Sequence, residues 1–109
     1  VALSEAVVLA ERAGVDRSTA YEVFASGAGG APFVHYKREA YLHPDDAPVA
    51  FSLELVAKDL ELITSLGASV GAPMRQAKVG LDIVKDAIEE GLGDRDLSSI
   101  AEYLRKDPT

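Results

Sequence analysis

Four groups of side chains in this 109-residue sequence have the types and spacing to do chemistry. His35, His43, Asp45 and Asp46 supply the nitrogen and oxygen donors of a divalent metal site. They surround the helix-breaking string HPDDAP, where solvated histidines beside a turn account for them, so no metal is expected. Ser98 and Ser99 are nucleophiles by type, but no histidine lies near them in sequence and they read as capping residues. The glycines of GAGG, 27–30, are of the kind that cradles phosphate. Their spacing is not that of a dinucleotide fingerprint, and they follow a helix rather than a strand, so a turn is the expectation. Lys58 and Asp59 remain, opposite charges side by side at the centre of the otherwise apolar-patterned stretch FSLELVAKDLEL.

That stretch has helical periodicity. With Phe51 set at 0° and about 100° per residue, Leu62, Leu55, Leu66, Val70, Ile63, Val56, Leu60 and Leu53 fill an arc from about 20° to about 200°. Ser65, Glu54, Glu61 and Thr64 take the other side. Lys58 falls at the border of the arc, nearly in line with Phe51, and Asp59 falls in its middle. A buried ionised carboxylate costs several kcal/mol unless it is paired or hydrogen-bonded. Asp59 is therefore either a structural anchor, accepting hydrogen bonds from another segment, or part of a cleft where Phe51, Lys58 and Asp59 meet a ligand. On the first alternative Lys58 is a surface lysine paired with Glu54 or Glu61.

About six helices must position these residues. VALSEAVVLAERAG is periodic from its start, with Ala2, Leu3, Ala6, Leu9, Ala10 and Ala13 on one side and Ser4, Glu5, Glu11 and Arg12 on the other. It has no initiator methionine and no capping residue, as expected of a piece of a longer polypeptide, and Gly14 suits the position that ends it. Asp16 caps a second helix, RSTAYEVFAS; after the turn SGAGGAP a third spans Phe33 to Tyr41. The fourth runs from the opening stretch to about Val70. GAP at 71–73 ends it and places Pro73 in the first turn of a fifth, which closes at Gly91 and carries Lys78–Asp82 and Lys85–Glu89 pairs on its wet face. GDRDLSSIAEYLRK forms the last, with Asp96 as cap or Ser99 and Glu102 as a capping box. No strand alternation and no repeat interrupts this pattern. The fold class read from it is all-α, one domain over 1–109.

Composition narrows the function classes. A net charge of -7 without a basic cluster disfavours nucleic acid and anionic membrane surfaces as partners. Cysteine is absent, which removes disulfides, thiolate metal sites and cysteine nucleophiles. No apolar run approaches the ~20 residues of a membrane span, and no signal-peptide pattern opens the chain. A soluble, cytoplasmic protein is expected.

Taken in order, ALSEAVVLAERAGVD, EVFASGAGGA, FSLELVAKDLELITSLGASVGAPM and EEGLGDRDLSSI resemble the C-terminal domain of the β-hydroxyacid dehydrogenase family over essentially the whole chain. That family includes 3-hydroxyisobutyrate dehydrogenase, tartronate semialdehyde reductase and the glyoxylate or succinic semialdehyde reductases. The resemblance implies a helical domain of the 6-phosphogluconate dehydrogenase C-terminal-like type, which closes a substrate cleft and supplies much of an oligomer interface. It implies a cofactor, NAD or NADP, bound mainly by a Rossmann domain that this chain lacks, and a small hydroxyacid as substrate. By the same resemblance Lys58 contacts the cofactor and Phe51 and Asp59 line the substrate cleft, while the small residues at 2, 6, 10 and 13 of the first helix, which let another helix approach closely, make a homodimer or homotetramer the expected assembly.

The family's proton-transfer lysine lies upstream on the helix that this chain enters partway along, so no catalytic residue is expected here and the fragment alone should be inactive. Two functions stay open: the substrate-cleft and dimerisation domain of a hydroxyacid dehydrogenase, or a stand-alone helical association module that keeps the fold without the chemistry.

Overall fold

The computed structural model of the chain describes residues 1–107. Its regular elements are helical, apart from one isolated antiparallel bridge between Ser52 and Asp96, so the all-α reading holds. The α-helices are α1 (Ala2–Arg12), α2 (Arg17–Ser26), α3 (Pro32–Tyr36), α4 (Arg38–Leu42), α5 (Leu53–Val70), α6 (Arg75–Ala87) and α7 (Ile100–Lys106). There are more of them than expected because the third expected helix breaks at Lys37 into α3 and α4. The chain divides into two compact units, Val1–Pro48 with the segment from Ser98 onward, and Val49–Leu97.

In the first unit α1 packs on α2 and α7 around Val7, Val8, Tyr21, Ala25, Val34, Tyr41 and Ala101. The buried side of α1 is not its alanine side. Ser4, Val7 and Val8 are buried, whereas Leu9 is 71% exposed and Ala2 and Ala13 face outward. The reason is that the polar residues on that side find partners inside. Ser4 Oγ lies 3.1 Å from Tyr41 OH, and Glu11 bonds Arg17 and Arg105. Tyr21 OH donates to the Val34 carbonyl at 2.7 Å, and its ring lies 5.7 Å from that of Tyr41. Burial and the neighbouring Tyr41 push the Tyr21 hydroxyl up to about 12, against the opposing pull of Arg38. Asp16 caps α2 as expected, its Oδ2 accepting from Thr19 N at 3.1 Å. Gly14 follows α1 with φ +90°, also as expected.

In the second unit α5 and α6 form a helical hairpin. Ser52 caps α5, and Gly71 ends it at φ +72°, a left-handed conformation that glycine adopts without a Cβ penalty. Ala72 N then bonds back to Gly67 O at 2.8 Å, which keeps the link folded over the last turn of α5. Gly67 permits this, because a Cβ there would lie 2.3 Å from Met74 Cγ and 3.1 Å from Ala72 O. The link therefore extends through Met74, and Pro73 precedes α6 instead of sitting in its first turn. α6 runs into a π turn, Ile88–Leu92, interrupted at Gly91 where φ is +91°, close to the expected end. Leu53 and Ala57 of α5 with Leu81, Val84 and Ala87 of α6 are the buried seam. Lys85 Nζ reaches Glu61 Oε1 on α5 at 3.4 Å, an interhelical pair where one with Glu89 was expected. No helix among the described residues is long and apolar enough to cross a membrane.

Candidate functional site

Phe51, Lys58 and Asp59 are carried by the start of α5, and that start is tightly held. The first free amides of a helix need acceptors. Leu53 N donates to Arg95 O at 3.0 Å, Glu54 N to Gly93 O at 3.0 Å, and Leu55 N to Ser52 Oγ at 3.3 Å. Phe51, half-buried, lies just before the cap, with its N bonded to Asp96 Oδ1 at 3.2 Å and its carbonyl to Leu97 N at 2.8 Å. Asp96 thus works upstream of α5. Of the caps expected for the last helix, Ser99 holds the N-cap position of α7 itself, without a side-chain cap bond and so without the expected capping box.

The apolar arc of α5 splits into two faces. Leu53, Ala57 and Gly67 turn inward with the partly buried Val56, Leu60 and Thr64. Leu55 at 45%, Leu62 at 60%, Ile63 at 42%, Leu66 at 65% and Val70 at 68% exposure turn outward. Asp59 lies in the outward half and is itself exposed, which removes the buried-anchor reading. The projection placed it correctly within the apolar arc; the arc is simply wider than the one helix that covers it. Lys58 is exposed as well, and neither charge has an ion-pair partner among the described residues. Of the partners expected for Lys58, Glu61 pairs with Lys85 instead. The outcome is an open helix face with one ammonium, one carboxylate and a row of leucines, and a phenylalanine whose main chain is fixed just before the helix.

The other candidates stay apart from chemistry. His35 and His43 are exposed, and among the described residues no three His, Asp or Glu side chains are grouped to hold a metal. Two of the GAGG amides are used within a turn, Gly27 N bonding Phe24 O and Gly30 N bonding Gly27 O. An open groove of about 500 Å³ in the first unit is lined by Glu11, Asp16, Arg17, Ser18, Leu42 and His43.

Comparison with known proteins decides the family. Residues 1–104 match a family model described as NAD-binding of NADP-dependent 3-hydroxyisobutyrate dehydrogenase. The chain belongs to this family. Among Arabidopsis thaliana proteins it is 31% identical over 104 residues to glyoxylate/succinic semialdehyde reductase 1, covering 95% of this chain and 36% of that one. It is 30% identical over 102 residues to the chloroplastic glyoxylate/succinic semialdehyde reductase 2, covering 94% of this chain and 28% of that one. The chain thus spans about a third of the length of the relatives it matches. Its fold is that of 3-hydroxyisobutyrate dehydrogenase from Salmonella typhimurium, with TM-score 0.84 and 24% identity over 94% of this chain and 35% of that one. The Mycobacterium tuberculosis 3-hydroxyisobutyrate dehydrogenase, in a structure described with L-serine, gives TM-score 0.82 and 27% identity over 95% of this chain and 38% of that one. Family members are oxidoreductases by these names, and the all-α fold of this chain is their helical part.

Proposed function

We propose that the chain is the substrate-cleft and oligomerisation domain of an NAD(P)-dependent oxidoreductase acting on a small β-hydroxyacid or its aldehyde or keto counterpart. The observation that carries this reading is the outward face of α5, where Phe51 is anchored at the helix start and Lys58 stands unpaired beside exposed leucines. In it, Lys58 contacts the cofactor, while Phe51 and Asp59 line the substrate cleft. An unpaired ammonium complements an anionic cofactor or carboxylate substrate. The apolar row gives the dry wall that hydride transfer needs.

NAD or NADP supplies the hydride acceptor when bound. The α5 N-terminus offers it no phosphate cradle, because its first amides are already satisfied. Nor does the sequence hold a glycine-rich strand-turn-helix. The 109 residues alone are therefore expected to show no hydroxyacid oxidation and no measurable dinucleotide binding, and micromolar binding by calorimetry would contradict that. For the function itself, the full-length protein should be assayed with both cofactors against a panel of β-hydroxyacids. Cofactor reduction with at least one is expected, and a folded protein inert to all of them overturns the reading.

A further inference from the structure

We infer that Asp96 is a positioning residue for the substrate cleft, setting the direction of Phe51; the inference rests on the cleft reading of Phe51 and Lys58. The segment from Gly93 to Leu97 runs antiparallel to the segment from Ala50 to Glu54, with Ser52 and Asp96 bridged. The contact is close because Gly93 has no side chain: a Cβ there would lie 3.0 Å from Glu54 Oε1 and 3.3 Å from Ile88 Cγ2. Main-chain bonds from Leu53 to Arg95 and from Glu54 to Gly93, together with the Ser52 cap, satisfy the start of α5 with no help from the Asp96 side chain.

The carboxylate of Asp96 does something else. Its Oδ1 accepts from Ala50 N at 3.0 Å and Phe51 N at 3.2 Å, and the residue is only 6% exposed. Both amides lie before the helix, in a segment without regular structure of its own. Hydrogen bonds to a buried ionised acceptor are stronger than neutral ones. Phe51 is thereby gripped on both sides, its N by the side chain of Asp96 and its carbonyl by the next main-chain amide, Leu97 N, at 2.8 Å. What this side chain adds to the helix cap is the placement of residues 50 and 51.

The test uses the full-length enzyme and whichever β-hydroxyacid the wild type oxidises, comparing Asp96→Ala, Asp96→Asn, Phe51→Ala and the double variant Asp96→Ala/Phe51→Ala. Asp96→Ala is expected to raise the substrate KM about fivefold or more, as Phe51→Ala does, and the double variant to be no worse than Phe51→Ala alone. Asp96→Asn keeps an oxygen acceptor and should restore most of the loss. A purely structural role lowers the active fraction, and hence apparent kcat, but leaves KM alone. A normal KM in folded Asp96→Ala, with KM raised in Phe51→Ala, overturns the positioning role and spares the cleft. A normal KM in both, or a wild type without activity, removes the cleft reading and the inference together. Should Asp96→Ala fail to fold, Asp96→Ser, whose shorter side chain places its acceptor farther back, carries the same comparison.

Discussion

Ser4 on α1 and Tyr41 on α4 meet hydroxyl to hydroxyl at 3.1 Å, both buried. The pair explains why α1 turns a serine inward and leaves Leu9 71% exposed. Ser4→Ala should destabilise the chain by about 1–2 kcal/mol, because it removes a buried partner from the tyrosine hydroxyl. Leu9→Ser on the same helix should stay within about 0.5 kcal/mol. Urea midpoints of the two variants check this, and the reverse order would mean that the alanine side of α1 is the folded core.

Glu11 predicts an acid-sensitive stability. Burial by itself would raise its pKa, but hydrogen bonds and charge from Arg105, at 2.8 Å, and from Arg17 outweigh it and hold the carboxyl below its ordinary value of 4.5. A carboxylate depressed in the folded state contributes stability that is fully present above the unfolded pKa and lost as pH falls through the folded one. Wild-type stability should therefore fall on acidification below about pH 4.5, and Glu11→Gln should be less stable at neutral pH with a shallower acid limb. Parallel pH profiles for the two proteins would assign the acid loss to other groups.

The α5 charges separate folding from function. Both are exposed, so Lys58→Ala and Asp59→Asn should each shift the stability of this chain by less than about 0.5 kcal/mol. In the full-length enzyme Lys58→Ala should lower kcat/KM at least tenfold, about 1.4 kcal/mol, through weaker cofactor or substrate binding. Wild-type kinetics in that variant would return Lys58 to an ordinary solvated lysine.

Assembly is expected from the exposed side of α1, which carries Leu9, 71% exposed, with the outward-facing Ala2 and Ala13. The small side chains of α1 allow another helix to approach closely. The full-length protein should sediment as a homodimer or homotetramer, and Leu9→Glu should weaken the assembly. A monomer at high micromolar concentration would contradict it.

Most helix positions, though not the break at Lys37, were legible because their signals are local: Asp16 caps one helix and Gly71 stops another through bonds to near neighbours. The resemblance was legible through ordered motifs, and it led to the family. Burial was less legible. Periodicity assigns a residue to a side of a helix, not to what covers that side, so Asp59 was placed among leucines without revealing that they face outward. On α1 the polar label of Ser4 and Glu11 hid their inward position, since their partners Tyr41 and Arg105 are remote in sequence. The role of Asp96 was hidden for the same reason. Its acceptor oxygen meets amides 45 and 46 positions earlier, while the nearest helix start offered an easier assignment.

Arg12 Nη2 lies within hydrogen-bond distance of the carbonyls of Leu104 at 3.2 Å, Arg105 at 3.0 Å and Asp107 at 2.9 Å, clasping the end of α7. These bonds span 92 to 95 positions, whereas the α5–α6 hairpin closes over a four-residue link, 71–74. During synthesis the seam between α5 and α6 can close as soon as α6 emerges, and the first amides of α5 find Gly93 and Arg95 a few residues later. The first unit must wait until α7 is made for Arg105 to reach Glu11 and for Ala101 to join the core around Val7 and Val8. Closing the longer loop costs more entropy and is slower. The second unit can thus complete its local contacts while the first is still open, and α1 is sealed into place only once α7 follows.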